Sequence, residues 1–572
     1  MPARWMDVSW TPARWTAASW MVRFIPAHSA IENAPSPSDS ATRAPSIAAP
    51  QQFLLFALFF AALMLIHAPL LRLPYFWDEA GYYVPAAHDL YQTGSLIPYS
   101  TVSNAHPPLV LAWLALAWRI FGYSTLVTRT AMLAVAAFSL LGLFRLSRAA
   151  ANIHVAWATT VLVAIYPVFF TQSSLGQVDL PAAGLTFWGL LAFIEDRPWK
   201  QVIWFSLAAL AKETAILAPF ALFAWQSIAP AVRKHSPSLT PPPGRRTRAY
   251  HFPLLAIPLA LWFTYHHAKT GFFLGNPEFF RYNVAATLDV LRFPFALAMR
   301  VWQIVGYLGL YLLTLAGSLA LSRPPQIENG VPRPRIAPWM QAAFAAVLLA
   351  YLVFMSAVGG ALLTRYLLPV LPLVILAWVS TLWRRLRFWA LIVAAVAVAF
   401  VIGLFLNPPY GFSLEDNLAY RDYIVLHVEA ERFLSMRYPN ARVLTAWPAS
   451  DELTRPQLGY VSRPIPVVRI EDFTTAQIEL ASLARGQYSA ALVFSTKYQP
   501  PHPMLANWPA WQHIKERFFG YHQDMLPEQI AQRLGGRIAF QKKADGQWIA
   551  VIAFDQDADQ NALLGNTENQ NP

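Results

Sequence analysis

The sequence predicts a multispan α-helical membrane protein with a small α/β domain at its C-terminal end. Three observations lead there. Over 572 residues the chain is 56% hydrophobic and only 13% charged, and its mean hydropathy is +0.36, too apolar for a water-soluble globular fold. The apolar residues fall in blocks of about 15–25, the length that crosses a bilayer as helix. After Leu406 the pattern changes, charges become frequent, and no block is long enough to cross.

The first fifty residues stand apart. Trp5, Trp10, Trp15 and Trp20 recur every five residues, and Pro, Ser and Ala then dominate to Pro50. Residues 1–50 are expected to form a disordered cytoplasmic tail, whose Trp and Arg suit lipid headgroups. The plainer alternative is an upstream extension without a role, with Met21 as the start. The stretch lacks the apolar core and cleavage site of a secretory signal.

Residues 51–406 read as the membrane module. Its apolar blocks are 52–71, 126–146, 155–170, 180–194, 202–210, 215–228, 252–267, 297–321, 340–357, 367–383 and 388–406, which gives about eleven spans. Residues 107–121 are apolar too, and whether they cross decides the topology. Five short loops are basic: Arg145 and Arg148; Arg197 and Lys200; Arg233, Lys234, Arg245, Arg246 and Arg248; Arg323, Arg333 and Arg335; Arg384, Arg385 and Arg387. All face the cytoplasm under the positive-inside rule only if 107–121 stays on one side. That segment and 82–93 are therefore expected as helices lying in the outer interface. The net charge of +12 is spent largely on these loops, so it sets orientation and does not indicate nucleic acid.

This parity gathers Asp78, Glu79, His106, Gln177, Asp179, Lys212, Glu213, Arg365 and Tyr366 on the outer side. Ionised groups are expensive near hydrocarbon, so a few of them collected on one face point to a site. Residues 407–555 read as an extracytoplasmic α/β domain, with strands near 442–445, 490–494, 537–540 and 548–554 and helices near 418–438, 475–484 and 528–534. Residues 556–572 are polar and expected to be disordered.

Asp78-Glu79, directly after the first apolar block, is the leading catalytic candidate. A carboxylate at a partly dry interface suits proton removal from an attacking hydroxyl or amine. Asp179 precedes Leu180-Pro181, so a helix N-cap and a functional carboxylate are both open. Asp78 and Asp179 together allow a divalent metal cation without requiring one. Lys212 fits a phosphate but also an ordinary snorkelling lysine beside Glu213. Arg365-Tyr366 fits a phosphate contact or an interfacial anchor pair. His106, before Pro107-Pro108, fits an acceptor or phosphate contact, or a structural role at a helix start. The absence of cysteine excludes disulfides, thiolate nucleophiles and cysteine metal sites. Neither a P-loop nor a Rossmann glycine fingerprint nor an HExxH motif occurs.

Together, Asp78-Glu79, His106-Pro-Pro, Asp179, Lys212 and Arg365-Tyr-Leu-Leu-Pro-Val-Leu-Pro resemble the polyprenyl-phosphate-sugar-dependent glycosyltransferases of the GT-C fold. Protein O-mannosyltransferases and bacterial aminoarabinose transferases of lipid A are its best-known branches. The resemblance covers about residues 52–405. It implies a GT-C-like helical bundle with juxtamembrane helices. It further implies Asp78 as base or metal-linked residue, Asp179 as the second acid, and Lys212, Arg365 and Tyr366 on the lipid phosphate. No insertion is large enough for the β-trefoil of the mannosyltransferases, so protein mannosylation is not carried over. His106 stands where the aminoarabinose enzymes have lysine.

The expected activity is transfer of a sugar from a polyprenyl-phosphate donor to a lipid, glycan or protein acceptor, with inversion. The expected place is the outer face of a bacterial inner membrane. A flippase for lipid-linked sugars and a non-catalytic envelope sensor are the alternatives. The flippase ranks lower because few polar groups lie deep in the spans.

Overall fold

The computed structural model describes residues 48–247, 251–277, 280–281, 284, 287–500 and 508–554. The chain divides into Met1–Ala48 and Ala49–Pro572, so the expected N-terminal tail lies almost wholly outside the described residues, as does the expected tail 556–572.

Every apolar block of the membrane module is helical. The helices are Ala49–His67, Thr125–Ala150, Ile153–Ile165 with Pro167–Ser174, Asp179–Ile194, Pro198–Ala211, Leu217–Arg233, His251–Thr270, Arg292–Val305 with Leu310–Leu321, Pro338–Ala357, Leu371–Arg385 and Trp389–Phe405. The count of about eleven crossings does not follow from them. Among the described residues, five stretches are long and apolar enough to cross a membrane, or six if Ile153–Ile165 and Pro167–Ser174, bent by 67°, form one span. Several others have 14–17 residues, about 21–26 Å at 1.5 Å per residue, against a hydrocarbon core of about 30 Å. Pro167 at the start of its helix accounts for the bend. Leu308 and Gly309, both at positive φ, break the run after Arg292–Val305.

Small residues let the central helices approach closely. Asp179–Ile194 is buried along nearly its whole length. Gly184 faces Ser139, and Gly189 faces the Phe205 ring. A Cβ at Gly184 would lie 1.8 Å from Ser139 Oγ and 2.6 Å from its Cβ.

The segments expected at the outer interface are both helical. Residues Glu79–Tyr83 form a wide turn that runs into Val84–Thr93, which Gly94 ends in the left-handed region. Leu109–Phe121 buries Val110, Leu111, Leu114 and Trp118, while Trp113, Leu116, Ile120 and Phe121 remain exposed. A short helix apolar on both sides suits the lipid boundary.

Beyond Phe405 lies a five-stranded sheet in the order β4-β3-β5-β7-β6. Its strands are β3 (Val443–Ala446), β4 (Val467–Ile470), β5 (Ala490–Phe494), β6 (Arg537–Ala544) and β7 (Gln547–Ala553); β1 (Ile327–Glu328) and β2 (Val331–Pro332) form a separate hairpin around Asn329-Gly330. β3 runs parallel to β4 and β5, and β7 antiparallel to β5 and β6. The sequence reading missed β4, a strand of only four residues after Pro466, and the helices Ala449–Thr454 and Pro509–Phe519.

A single apolar core joins the two parts. It runs from Leu70, Tyr75 and Phe76 through Leu114, Trp118 and Phe170 to Tyr420, Tyr423, Val493 and Ile549. The loop that carries Asp78 and Glu79 is embedded in it.

Gly184→Val tests the close helix contact. Overpacking typically costs about 1–3 kcal/mol, so the variant should aggregate or melt earlier in size-exclusion and thermal-shift measurements. Gly486→Ala, where a Cβ meets nothing, should behave as wild type.

Candidate active site

Local packing first turns the acidic pair apart. Tyr75 is fixed by its hydroxyl to Thr128 Oγ1 at 2.7 Å and by its N–H, which donates to the Leu458 carbonyl. Trp77 sits at φ 44°, a conformation a bulky residue adopts only when its surroundings impose it. Those surroundings are Tyr423 at 5.5 Å and Trp447 at 5.3 Å, ring centre to ring centre.

Glu79 points inward. Its carboxylate accepts from Arg129 at 2.5 Å, from the Phe76 N–H at 2.9 Å and from the Gly176 N–H. Arg129 also donates to the carbonyls of Ser174 and Pro74. Both side chains are fully buried, so Glu79, expected beside Asp78 as a catalytic residue, stands in the wall behind it and pins the loop 74–79 to the turn 174–176.

Asp78 points outward, its side chain 32% exposed, and pairs with Arg365. Arg365 is buried and contacts four acceptors from three other segments. It donates to Gln177 Oε1 and, at 2.6 Å, to Glu415 Oε2, and its Nε lies 3.3 Å from Asp179 Oδ2. Gln177 Nε2 in turn donates to Glu415 at 3.0 Å. Lys212 pairs with the other oxygen of Asp179 and sits 3.9 Å from the Tyr366 ring centre. Asp78, Asp179, Lys212, Arg365 and Tyr366 therefore come together as the sequence grouped them. His106 lies to one side, its Nδ1 3.0 Å from Glu213 Oε2 and its ring against Tyr82 and Tyr83.

Three residues of the site were missed. Glu415 and Asp416 follow the last helix of the membrane module as Asp78 and Glu79 follow its first, and both are buried. Asp416 Oδ2 accepts from the Tyr307 hydroxyl at 2.7 Å and Thr364 at 2.9 Å. Arg300 lies 5.8 Å from the Tyr366 ring. It donates to Gln303 and to the carbonyls of Leu363 and Met355, and its Nη2 has no hydrogen-bond partner among the described residues. The available signals were a second acidic pair after an apolar block and an arginine inside one.

Arg365 stands between Asp78 and Asp179, and Lys212 takes the remaining oxygen of Asp179. As arranged, both oxygens of Asp179 face cations, while Asp78 meets Arg365 through one oxygen. The cluster sets a partly exposed carboxylate beside buried positive charge.

The comparisons agree with this architecture. Residues 105–240 match the family described as dolichyl-phosphate-mannose-protein mannosyltransferase. The fold resembles that of ArnT from Cupriavidus metallidurans in its crystal structure bound to undecaprenyl phosphate. There the identity is 13% and the TM-score 0.53, over 89% of this chain and 99% of that one. The apo form of the same protein gives 13% and 0.51, over 88% and 98%. No curated protein matches in sequence. The resemblance to GT-C glycosyltransferases thus stands in fold and in the matched segment. Coverage of 89% also carries the structural likeness past the membrane helices into the C-terminal sheet.

Two expectations follow. Glu79→Gln leaves Arg129 a buried charge without its counter-ion, a loss of about 3–5 kcal/mol, seen as a lowered Tm. Burial raises Asp416 to about 6 and, against the pull of Arg365, Glu415 to about 7. An unfolded carboxylate titrates near roughly 4, so the folded chain binds more protons above that value and loses stability as pH rises through the window. Asp416→Asn should flatten the decline between about pH 4 and 6 in thermal melts of the detergent-purified protein; an unaltered slope would deny Asp416 that role.

Proposed function

We propose that the protein is a membrane glycosyltransferase that moves a sugar from a polyprenyl-phosphate donor to a hydroxyl or amine acceptor on a lipid, glycan or protein. The reading places the reaction at the outer face of a bacterial inner membrane. The observation that carries it is Asp78: an accessible carboxylate held by a buried arginine, with Lys212, Tyr366 and Arg300 beside it. The matched mannosyltransferase segment and the likeness to ArnT, whose structure holds undecaprenyl phosphate, support the same chemistry.

In this reading the acceptor attacks the anomeric carbon from the side opposite the phosphate. The new bond to the acceptor forms as the bond from that carbon to the phosphate oxygen breaks, which inverts the centre. Asp78 takes the acceptor's proton. The leaving lipid phosphate gains negative charge, and preorganised cations stabilise that change. Lys212 and the unpartnered Nη2 of Arg300 reach the phosphate, and Tyr366 adds a hydroxyl. Arg365, whose donors already face four acceptors, orients Asp78 and lends its charge from behind. His106, in contact with Glu213, lines the acceptor side. No step passes through a metal.

Asp78→Asn should lower kcat by about 100-fold or more in an assay with a polyprenyl-phosphate sugar, with the Tm unchanged and the donor still bound. Near-normal turnover would remove Asp78 from the role of base. Arg300→Ala should instead weaken donor binding and slow transfer; unchanged KM and kcat would exclude its contact with phosphate.

A further inference from the structure

A second polar cluster lies outside the transfer site, in the C-terminal domain. The helix Ala419–Arg437 carries His427 and Glu431 one turn apart, so both face the same way. The short helix Ala449–Thr454 brings Glu452 against them. One ligand atom from each of the three lies within 4.8 Å of the others. His427 Nδ1 is 2.7 Å from Glu452 Oε2 and 3.8 Å from Glu431 Oε1. All three side chains are buried to 1% exposure or less.

The cluster is short of partners. With both carboxyls ionised, the two oxygens of Glu431, Oε1 of Glu452 and Nε2 of His427 make no hydrogen bond among the described residues, although Glu431 and Glu452 lie close enough to share a proton. Tyr423 lies outside the cluster with its ring stacked on His427, centres 3.9 Å apart, and its hydroxyl is buried and unpartnered among the described residues as well. Among the described residues, neither carboxylate has a lysine or arginine in ion-pair reach, unlike Asp78, Glu79, Asp179 and Glu415 at the transfer site. Two buried carboxylates without a cation cost several kcal/mol. Either a proton or a metal ion must offset that cost.

We infer that His427, Glu431 and Glu452 bind a divalent transition-metal ion of the zinc class, with the Tyr423 hydroxyl or a water as fourth ligand. One neutral imidazole and two carboxylates balance a doubly charged ion. Imidazole favours zinc and its neighbours over magnesium or calcium, which need six or more oxygens or retained waters. Tetrahedral bonds of about 2.0–2.1 Å separate ligand atoms by about 3.3 Å, within the spread found here.

The position gives the ion a task. It would tie Ala449–Thr454 to Ala419–Arg437, and both elements wall the loop of Asp78. Tyr423 touches Phe76 at 5.3 Å and Trp77 at 5.5 Å. Trp447, just before the short helix, touches Trp77 and covers Gly81. The site is structural, and the inference does not rest on the transfer reaction.

The test is metal analysis of the full-length protein purified in detergent after growth and dialysis with zinc. About one zinc per chain is expected, lost in Glu431→Gln and His427→Ala and kept in Asp78→Asn. Should those variants fail to fold, wild type alone suffices. Dipicolinate should lower its Tm, and Zn2+ but not Mg2+ should restore it. Absence of stoichiometric metal, with a Tm indifferent to chelator and zinc, would overturn the inference. So would an infrared band of a protonated carboxyl in zinc-dialysed wild type that disappears in Glu431→Gln, since the cluster would then hold a proton.

Discussion

A buried guanidinium cannot be left without counter-charge, and Arg365 draws that charge from parts of the chain far apart in sequence. Asp78 comes from the loop after the first helix, Gln177 and Asp179 from the turn before and the first residue of Asp179–Ile194, and Glu415 from the segment after Trp389–Phe405. Each buried carboxylate would be costly alone, and so would the arginine. Together they offset one another's charge. The first loop, the central turn and the end of the membrane module must therefore meet at one end of the bundle, and that meeting makes the site.

Adjacent residues divide the work there. After Trp77, at positive φ, Glu79 turns into the loop wall and Asp78 stays partly exposed. Glu79 is saturated by Arg129 and two backbone N–H groups and gives rigidity. Asp78 keeps an open side and one cation. A general base needs that combination, an accessible oxygen on a carboxylate that cannot swing away. The fixed partner of Glu79 is thus a condition for the geometry of Asp78.

Helices were legible because hydrophobic blocks are local in sequence; crossings were not, because a block of 14–17 residues spans less than the hydrocarbon thickness and its tilt depends on neighbours. Asp78, Asp179, Lys212, Arg365 and Tyr366 were legible because charge is scarce where they occur. Glu415 and Asp416 were hidden because charges become common after Leu406. Arg129 and Arg300 sit inside apolar blocks, a signal that was present and unused. That Glu79 turns inward depends on Arg129, fifty positions away, and no spacing rule conveys it. His427 and Glu431 share a helix face in the sequence, but Glu452 joins them only through packing.

The C-terminal domain is part of the site's construction. It supplies the acceptors and rings that hold the loop before Asp78: the Leu458 carbonyl takes the Tyr75 N–H, and the Tyr460 hydroxyl donates to the Tyr75 carbonyl at 2.9 Å. Tyr123 donates to the Gln457 carbonyl and Arg455 to the Ser100 carbonyl, both at 2.7 Å. Tyr423 and Trp447 complete the wall behind Trp77. Without these contacts nothing would offset the strain at Trp77, and the apolar surface of Tyr75 and Phe76, now in the shared core, would face water. A loop that borrows its backbone partners and its packing from a second domain cannot keep its shape when that domain is absent. The boundary near Leu406 that composition marks is therefore a change of solvent, from lipid to water, and not a division between two independently packed units.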